Sequence, residues 1–209
     1  RTPLTNLRGY LEGLSDDVVP PSRETFRMLE SEILRLVHLV DDLQQLTKAE
    51  SAKAFLQKRE LSTETLIEQL RTMFDHRLQA KGINVLVEID PAGLMVYADL
   101  DKLLQALRNL LENALRYTPQ GGEVTIRGRQ QAEGVELSVS NSGAGISETD
   151  LPFIFERFFC ADRSRSREHG GAGIGLSIVK QLIEAHDGQV GAESRDGLTR
   201  VWLRLPTHG

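Results

Sequence analysis

Apolar residues recur along this chain in two rhythms. Leu4, Leu7, Leu11 and Leu14 stand at steps of three and four, which predicts a helix over residues 1–14 with one narrow apolar stripe. Pro3 is compatible with such a helix only near its start. Residues 15–22, with Pro20 and Pro21, break the pattern. A second helix is predicted over 23–49, where Phe26, Leu29, Ile33, Leu36, Val37, Val40, Leu43 and Leu46 follow a spacing close to a heptad. Two such helices bury little by themselves. They are expected to form a hairpin that pairs with a second copy into a four-helix bundle, a packing of the hairpin onto its own downstream part being the plainer alternative.

The rhythm then shortens. Residues 48–60 read as a polar hinge followed by a short strand. Ser62 suits the N-cap of a helix over 63–81 closed by Gly82, and residues 83–89 alternate as a strand does. A short strand over 95–98 leads to Asp99, a cap for a helix whose Leu103, Leu104, Leu107, Leu110, Leu111 and Leu115 form a wide apolar face. Gly121-Gly122 turns the chain into a predicted hairpin of 123–130 with 135–141. A last helix over 174–187 precedes strands at 189–194 and 200–205. The fold class expected is an α-helical hairpin followed by an α+β two-layer sandwich, with helices on one face of a mixed sheet.

The polar positions of the helix before Thr118-Pro119 carry the chemistry. Asn109, Asn113 and Arg116 recur at steps of four and three, so they share a face beside the leucines. Asparagine is a poor helix former, and two of them one turn apart favour a ligand face over a solvated one. Neutral amide oxygens suit a magnesium ion held mainly by phosphate. Arg116 adds positive charge, and Tyr117 a ring to lie beside a base. Composition narrows the rest. The 209 residues suffice for one good core plus a smaller element, and 40% hydrophobic with 26% charged residues is ordinary for a globular chain. A net charge of −5 without a basic run argues against nucleic acid as a partner. Cys160 is alone, which excludes a disulfide framework and fits a reducing compartment. No apolar run approaches membrane-spanning length. The opening Arg1 suggests a piece of a larger protein.

Residues 108–119 resemble the N box of bacterial sensor histidine kinases, which share the Bergerat ATP-binding fold with gyrase. By that resemblance Asn113 ligates Mg2+, and Asn109, Arg116 and Tyr117 take the places of the box's first Asn, basic residue and Tyr. Arg1-Thr2-Pro3-Leu4 resembles the end of the phosphoacceptor signature. The acceptor His and the acid after it are expected just before Arg1, outside this chain. Thr2 would then position water for phosphatase action, or be merely an exposed helix residue. His38 has no such surroundings, and His76, His169, His186 and His208 show no metal-ligand spacing, so none is assigned a function.

Four further stretches resemble motifs of the same family. Asn141 with Gly143, Gly145 and Ile146 resembles the G1 box, in which an Asp accepts from the adenine amino group. Asn141 can accept the same bond without charge assistance, so ATP is expected to bind more weakly by about 1 kcal/mol. Residues 155–159 resemble the F box, with Phe158 against the nucleotide. Residues 160–170 read as a lid in which Arg163, Arg165 or Arg167 reaches phosphate. Gly171, Gly173 and Gly175, with Leu176, open the last helix and resemble the G2 box, where free N–H groups meet phosphate oxygens. Ahead of the final strand, Gly197-Leu198-Thr199 resembles a degraded G3 element. Thr199 either joins the adenine hydrogen bonds or is an ordinary strand threonine.

The resemblance implies a hairpin over 1–50, a hinge and first strand over 51–60, and an ATP-binding domain over 61–209. It implies a protein-histidine kinase using Mg-ATP, with Asn109, Arg116 and Thr2 as its catalytic residues. The phosphoryl group would pass to a hairpin His and then to an Asp of a response-regulator receiver domain. Homodimerisation through 1–50 and a cytoplasmic place in a protein anchored in the bacterial inner membrane, through segments absent from this chain, also follow. The alternatives are an ATP-hydrolysing Bergerat clamp, or an ATP-binding or dimerisation module without kinase activity.

Overall fold

The structure, a computed structural model, describes residues 2–50, 56–161 and 173–206, with the backbone alone described at 2–3, 35, 38–39, 41–43 and 45–50. Helix α1 (Thr2–Ser15) and helix α2 (Arg23–Glu50) lie against each other as a hairpin. Pro3 falls in the first turn of α1, where its missing N–H costs nothing. Ser22 starts α2, its hydroxyl accepting from Thr25 N at 3.1 Å. Gly13, in the last turn of α1, lets Val19 pack close, a Cβ there standing 2.7 Å from Val19 Cγ2. The second helix runs to Glu50, so the polar stretch expected to be hinge from Lys48 begins as helix. Within this chain the hairpin leaves Leu4, Leu11, Phe26, Ile33, Val37 and Val40 exposed.

Strand β1 (Lys58–Ser62) pairs antiparallel with β3 (Met95–Asp99) as a separate two-stranded sheet. Between them lie α3 (Thr63–Ala80), capped by Ser62 through Thr65 N, and β2 (Asn84–Asp90). Helix α4 (Leu100–Tyr117), strands β4 (Glu123–Gln131) and β5 (Gly134–Ser142), helix α5 (Gly175–Ala185) and strands β6 (Gln189–Arg195) and β7 (Leu198–Pro206) complete the chain. The main sheet has the order β2-β4-β5-β7-β6, with β2 parallel to β4 and every other pair antiparallel. It is the expected mixed sheet under one layer of helices.

Period-two alternation sorts the two faces of that sheet. Val124, Ile126, Leu137, Val139, Val201, Leu203 and Leu205 turn inward and meet the leucines of α3 and α4 and the aliphatics of α5. The outer face is polar and carries charge pairs: Arg127 with Glu88, and buried Glu136 between Arg200 and Arg204. Three contacts hold α4 in place. Arg77 of α3 grips Glu112 with both guanidinium nitrogens, at 2.5 and 2.9 Å. Lys81 Nζ donates to Leu115 O at 2.7 Å, closing the helix end. Burial pushes the Lys81 ammonium below the usual lysine range.

Leu107 has no exposed surface and sits in the middle of the α4 row. Leu107→Ala is expected to destabilise the fold by about 2–5 kcal/mol, read from the urea midpoint at unchanged m-value.

Candidate functional site

The polar face of α4 looks toward the start of α5. Asn109 Nδ2 donates to Gly175 O at 3.4 Å, a long hydrogen bond that links the two helices. Asn113, one turn on, is half-buried and makes no hydrogen bond among the described residues. Arg116 is half-buried and Tyr117, the last residue of α4, is exposed. Helix α5 opens without a side-chain cap, Ile174 having none to offer. Its first N–H groups are therefore available to an anion.

The end of β5 forms the opposite wall. Asn141 and Thr199 are Cα partners across β5 and β7, both buried on the inner face. Asn141 Nδ2 donates to Ser142 O at 3.1 Å, which leaves Oδ1 as the atom able to accept. Gly143 packs so closely on the end of α4 that a Cβ would stand 2.7 Å from Tyr117 O, and its N–H donates to Gly197 O at 2.8 Å. Ser194, which the sequence did not single out, ties this wall together. Its Oγ accepts from Ile146 N at 2.8 Å and lies 3.1 Å from Thr199 Oγ1.

The third wall joins two stretches far apart in sequence. Phe158 N donates to Gly173 O at 2.9 Å, and both residues have left-handed backbones, φ 63° and 70°. For Gly173 that is free, and a Cβ there would stand 2.5 Å from Phe159 O. For Phe158 it is a strained conformation, of the kind that concentrates at ligand sites, and its ring is left exposed. Cys160 is half-buried beside Gly173. Leu176 is half-buried in the first turn of α5.

The structure thus brings Asn109 to Gly175, Tyr117 to Gly143, Phe158 to Gly173, and Asn141, Gly145 and Ile146 to the Ser194–Thr199 pair, while Asn113 and Arg116 follow Asn109 along α4 and Leu176 follows Gly175 in α5. Gly171 and the three lid arginines lie outside the described residues. Thr2 starts α1, away from these walls in the fold, and its side chain is outside the described residues, as is that of His38.

At the far end of the two helices His186 is buried, with Nε2 accepting from Asp99 N at 3.0 Å and Nδ1 2.7 Å from Leu182 O. The ring is therefore the neutral tautomer with the proton on Nδ1. Burial holds its pKa below the ordinary histidine value.

Residues 98–209 match the family described as histidine kinase-, DNA gyrase B-, and HSP90-like ATPase, and residues 1–52 match the His Kinase A (phospho-acceptor) domain. The chain belongs to the sensor histidine kinase family. It is 37% identical over 207 residues to the signal transduction histidine-protein kinase BaeS of Escherichia coli, across 99% of this chain and 44% of BaeS. It is 33% identical over 215 residues to the sensor histidine kinase WalK of Bacillus subtilis, across 99% of this chain and 34% of WalK. Among solved structures, histidine kinase AdeS of Acinetobacter baumannii superposes with a TM-score of 0.77 at 25% identity, over 100% of this chain and 97% of that one. Histidine kinase ThkA, solved in complex with response regulator protein TrrA, shares the fold with a TM-score of 0.81 at 24% identity, over 99% of this chain and 58% of that one. The chain spans less than half the length of these two sequence relatives. ATP is the ligand that the family's ATPase domain uses.

Two outcomes test this site. Asn141→Ala is expected to lower ATP affinity about fivefold by titration calorimetry, the loss of one neutral hydrogen bond. Below about pH 6.5 the unfolded chain protonates His186 while the folded chain does not. Acid therefore favours unfolding: the urea midpoint is expected to be lower at pH 5.5 than at pH 7.5, with a smaller difference in His186→Gln.

Proposed function

We propose that this chain is the catalytic core of a sensor histidine kinase, which binds Mg-ATP between α4, α5 and the end of β5 and passes the γ-phosphoryl group to a histidine on the α1–α2 hairpin. The observation that carries the reading is the amide pair of α4. Asn109 is tied to the opening of α5, while the Asn113 side chain has no partner among the described residues and lies one turn on, toward Arg116.

The residues fit the group they would hold. Asn113 offers a neutral oxygen of the kind magnesium accepts while keeping several waters. Bound there, magnesium would neutralise phosphate charge. The chain's own residues do the rest. The uncapped N–H groups of α5, with Gly173 at left-handed φ ahead of them, receive phosphate oxygens. Arg116 adds charge from the side of α4. Asn141 Oδ1 accepts from the adenine amino group, with Thr199 beside it in the sheet. Gly143 and Gly145 bring bare backbone up to the base, and Ile146, Phe158 and Tyr117 line its rim. Phosphoryl transfer asks mainly for in-line positioning and charge neutralisation. The bond from the γ-phosphorus to its bridging oxygen breaks, a bond to an imidazole nitrogen forms, and ADP leaves.

The passage from α2 to β1 is the joint about which the ATP-binding part, from β1 onward, swings onto the hairpin of residues 1–50. Phe26, Ile33 and Val40 stand seven residues apart on α2, with Val37 on the same side. Exposed in one chain, they support homodimerisation into a four-helix bundle. A response-regulator receiver domain takes the phosphoryl group from the hairpin, and Thr2 positions the water that hydrolyses the receiver's aspartyl phosphate when the protein acts as a phosphatase. Among the described residues no helix is long and apolar enough to cross a membrane. The cytoplasmic place and the inner-membrane anchor of the whole protein are inferred from the character of its relatives.

Asn113→Ala is expected to weaken ATP binding about tenfold in magnesium and to match the unmodified chain in EDTA, because only the metal-dependent part of the affinity is lost. With labelled ATP, the chain extended upstream through the acceptor histidine is expected to take up acid-labile, base-stable label. The 209-residue chain is expected to bind ATP and to take up no label. Steady phosphate release without labelled protein would mark an ATPase instead.

A further inference from the structure

Away from the nucleotide walls, polar contacts converge where the chain arriving from α2 enters the ATP-binding part. The β1–β3 ladder ends with Lys58 opposite Asp99. One residue earlier the Gln57 N–H has no strand opposite it, and it donates instead to Asp99 Oδ2 at 2.9 Å. The other oxygen of that carboxylate, Oδ1, accepts from Lys102 N at 3.1 Å as the N-cap of α4. The Asp99 N–H donates to the buried ring of His186, which follows the last turn of α5. A second strap, Lys58 Nζ to Asp187 Oδ2 at 3.3 Å, crosses the surface nearby. Burial pushes the Asp99 carboxyl up, but hydrogen bonds from Gln57 and Lys102 outweigh it and leave the pKa below the usual range, so the group is charged at neutral pH.

An N-cap needs one acceptor, and Ser or Asn would serve α4 as well as Asp. What needs two oxygens here is the simultaneous hold on Gln57. We propose that Asp99 is a positioning residue for phosphoryl transfer: by clamping Gln57 to the start of α4, it makes the ATP-binding part rigid up to the edge of the joint and fixes where the bound nucleotide stands relative to the hairpin. This rests on the kinase reading above. The helix that Asp99 caps carries Asn109 and Asn113, and the helix whose end His186 follows opens at Gly175. The entering chain is thus attached to the far ends of both helices that face the nucleotide. Releasing Gln57 leaves the pocket intact but loosens the hold on the entering chain, and with it the approach to the acceptor.

Asp99→Asn separates the two duties. Its Oδ1 still caps Lys102, while its NH2 faces the Gln57 N–H, donor against donor. Gln57→Pro removes the same bond from the other side. Both variants are expected to bind Mg-ATP within about twofold of wild type. Amide hydrogen exchange at Gln57 is expected to rise about tenfold in Asp99→Asn. In the chain extended upstream through the acceptor histidine, kcat for histidine phosphorylation is expected to fall about tenfold in each variant, with KM for ATP unchanged. The double variant should be no slower than either single one. Unchanged exchange and kcat, or a kcat loss matched by an equal loss of ATP affinity, would overturn the clamp. Should the unmodified chain fail to bind Mg-ATP, the proposed function falls, and Gln57 exchange alone then decides for the clamp if it rises and against it if it does not.

Discussion

Everything at this site depends on α4 having one face it cannot turn. Leu103, Leu107, Leu110 and Leu111 are almost wholly buried against the sheet and the neighbouring helices, and each such side chain is worth roughly 1.5–3 kcal/mol of burial. Rotating the helix by even one residue position would expose them. The polar stripe at Asn109, Asn113 and Arg116 is thereby aimed without any contact of its own having to aim it. The ends are fixed as well, by Asp99 at the start and by Lys81 and Thr118 at the finish, where Thr118 Oγ1 donates to Ala114 O at 2.6 Å. A helix held in rotation and in length can present two amides to a ligand at low cost in ordering, which is what pre-organised binding requires.

The second constraint is close approach. At Gly143 and Gly173 the backbone comes within 2.7 and 2.5 Å of where a Cβ would meet a carbonyl oxygen, so any other residue would push the walls apart. These two glycines join segments that sequence alone leaves separate: the end of α4 with the end of β5, and the turn at Phe158 with the entrance to α5. The left-handed backbone at Phe158 stores strain at the same junction.

Much of this was legible in the residue pattern, because it is local. The leucine row, the Ser62 and Asp99 caps, the two-residue turn at Gly121-Gly122 and the alternation of β4 and β5 each rest on neighbours within one or two turns. What stayed hidden was long-range. Nothing near Lys58 in sequence says that β1 pairs with β3 rather than with the main sheet. Ser194 reads as an ordinary strand serine until β6 folds beside β7 and brings it to Ile146 and Thr199. His186 has no metal-ligand spacing to suggest a role, yet it accepts from Asp99 N across 87 positions of chain. Asp99 itself was legible as a cap and not as a clamp, since its second partner, Gln57, precedes it by 42 positions.

The outer face of the sheet has a practical side. The single tryptophan of the chain, Trp202, lies flat on Gly191, where a Cβ would stand 2.2 Å from the indole, and the Arg204 guanidinium covers it at 5.1 Å from the ring centroid. That stack is on the side of the sheet turned away from α4 and α5. Its emission should therefore be silent when the pocket fills and change sharply when the sheet comes apart. The molecule carries an optical gauge of its own integrity that is deaf to its ligand.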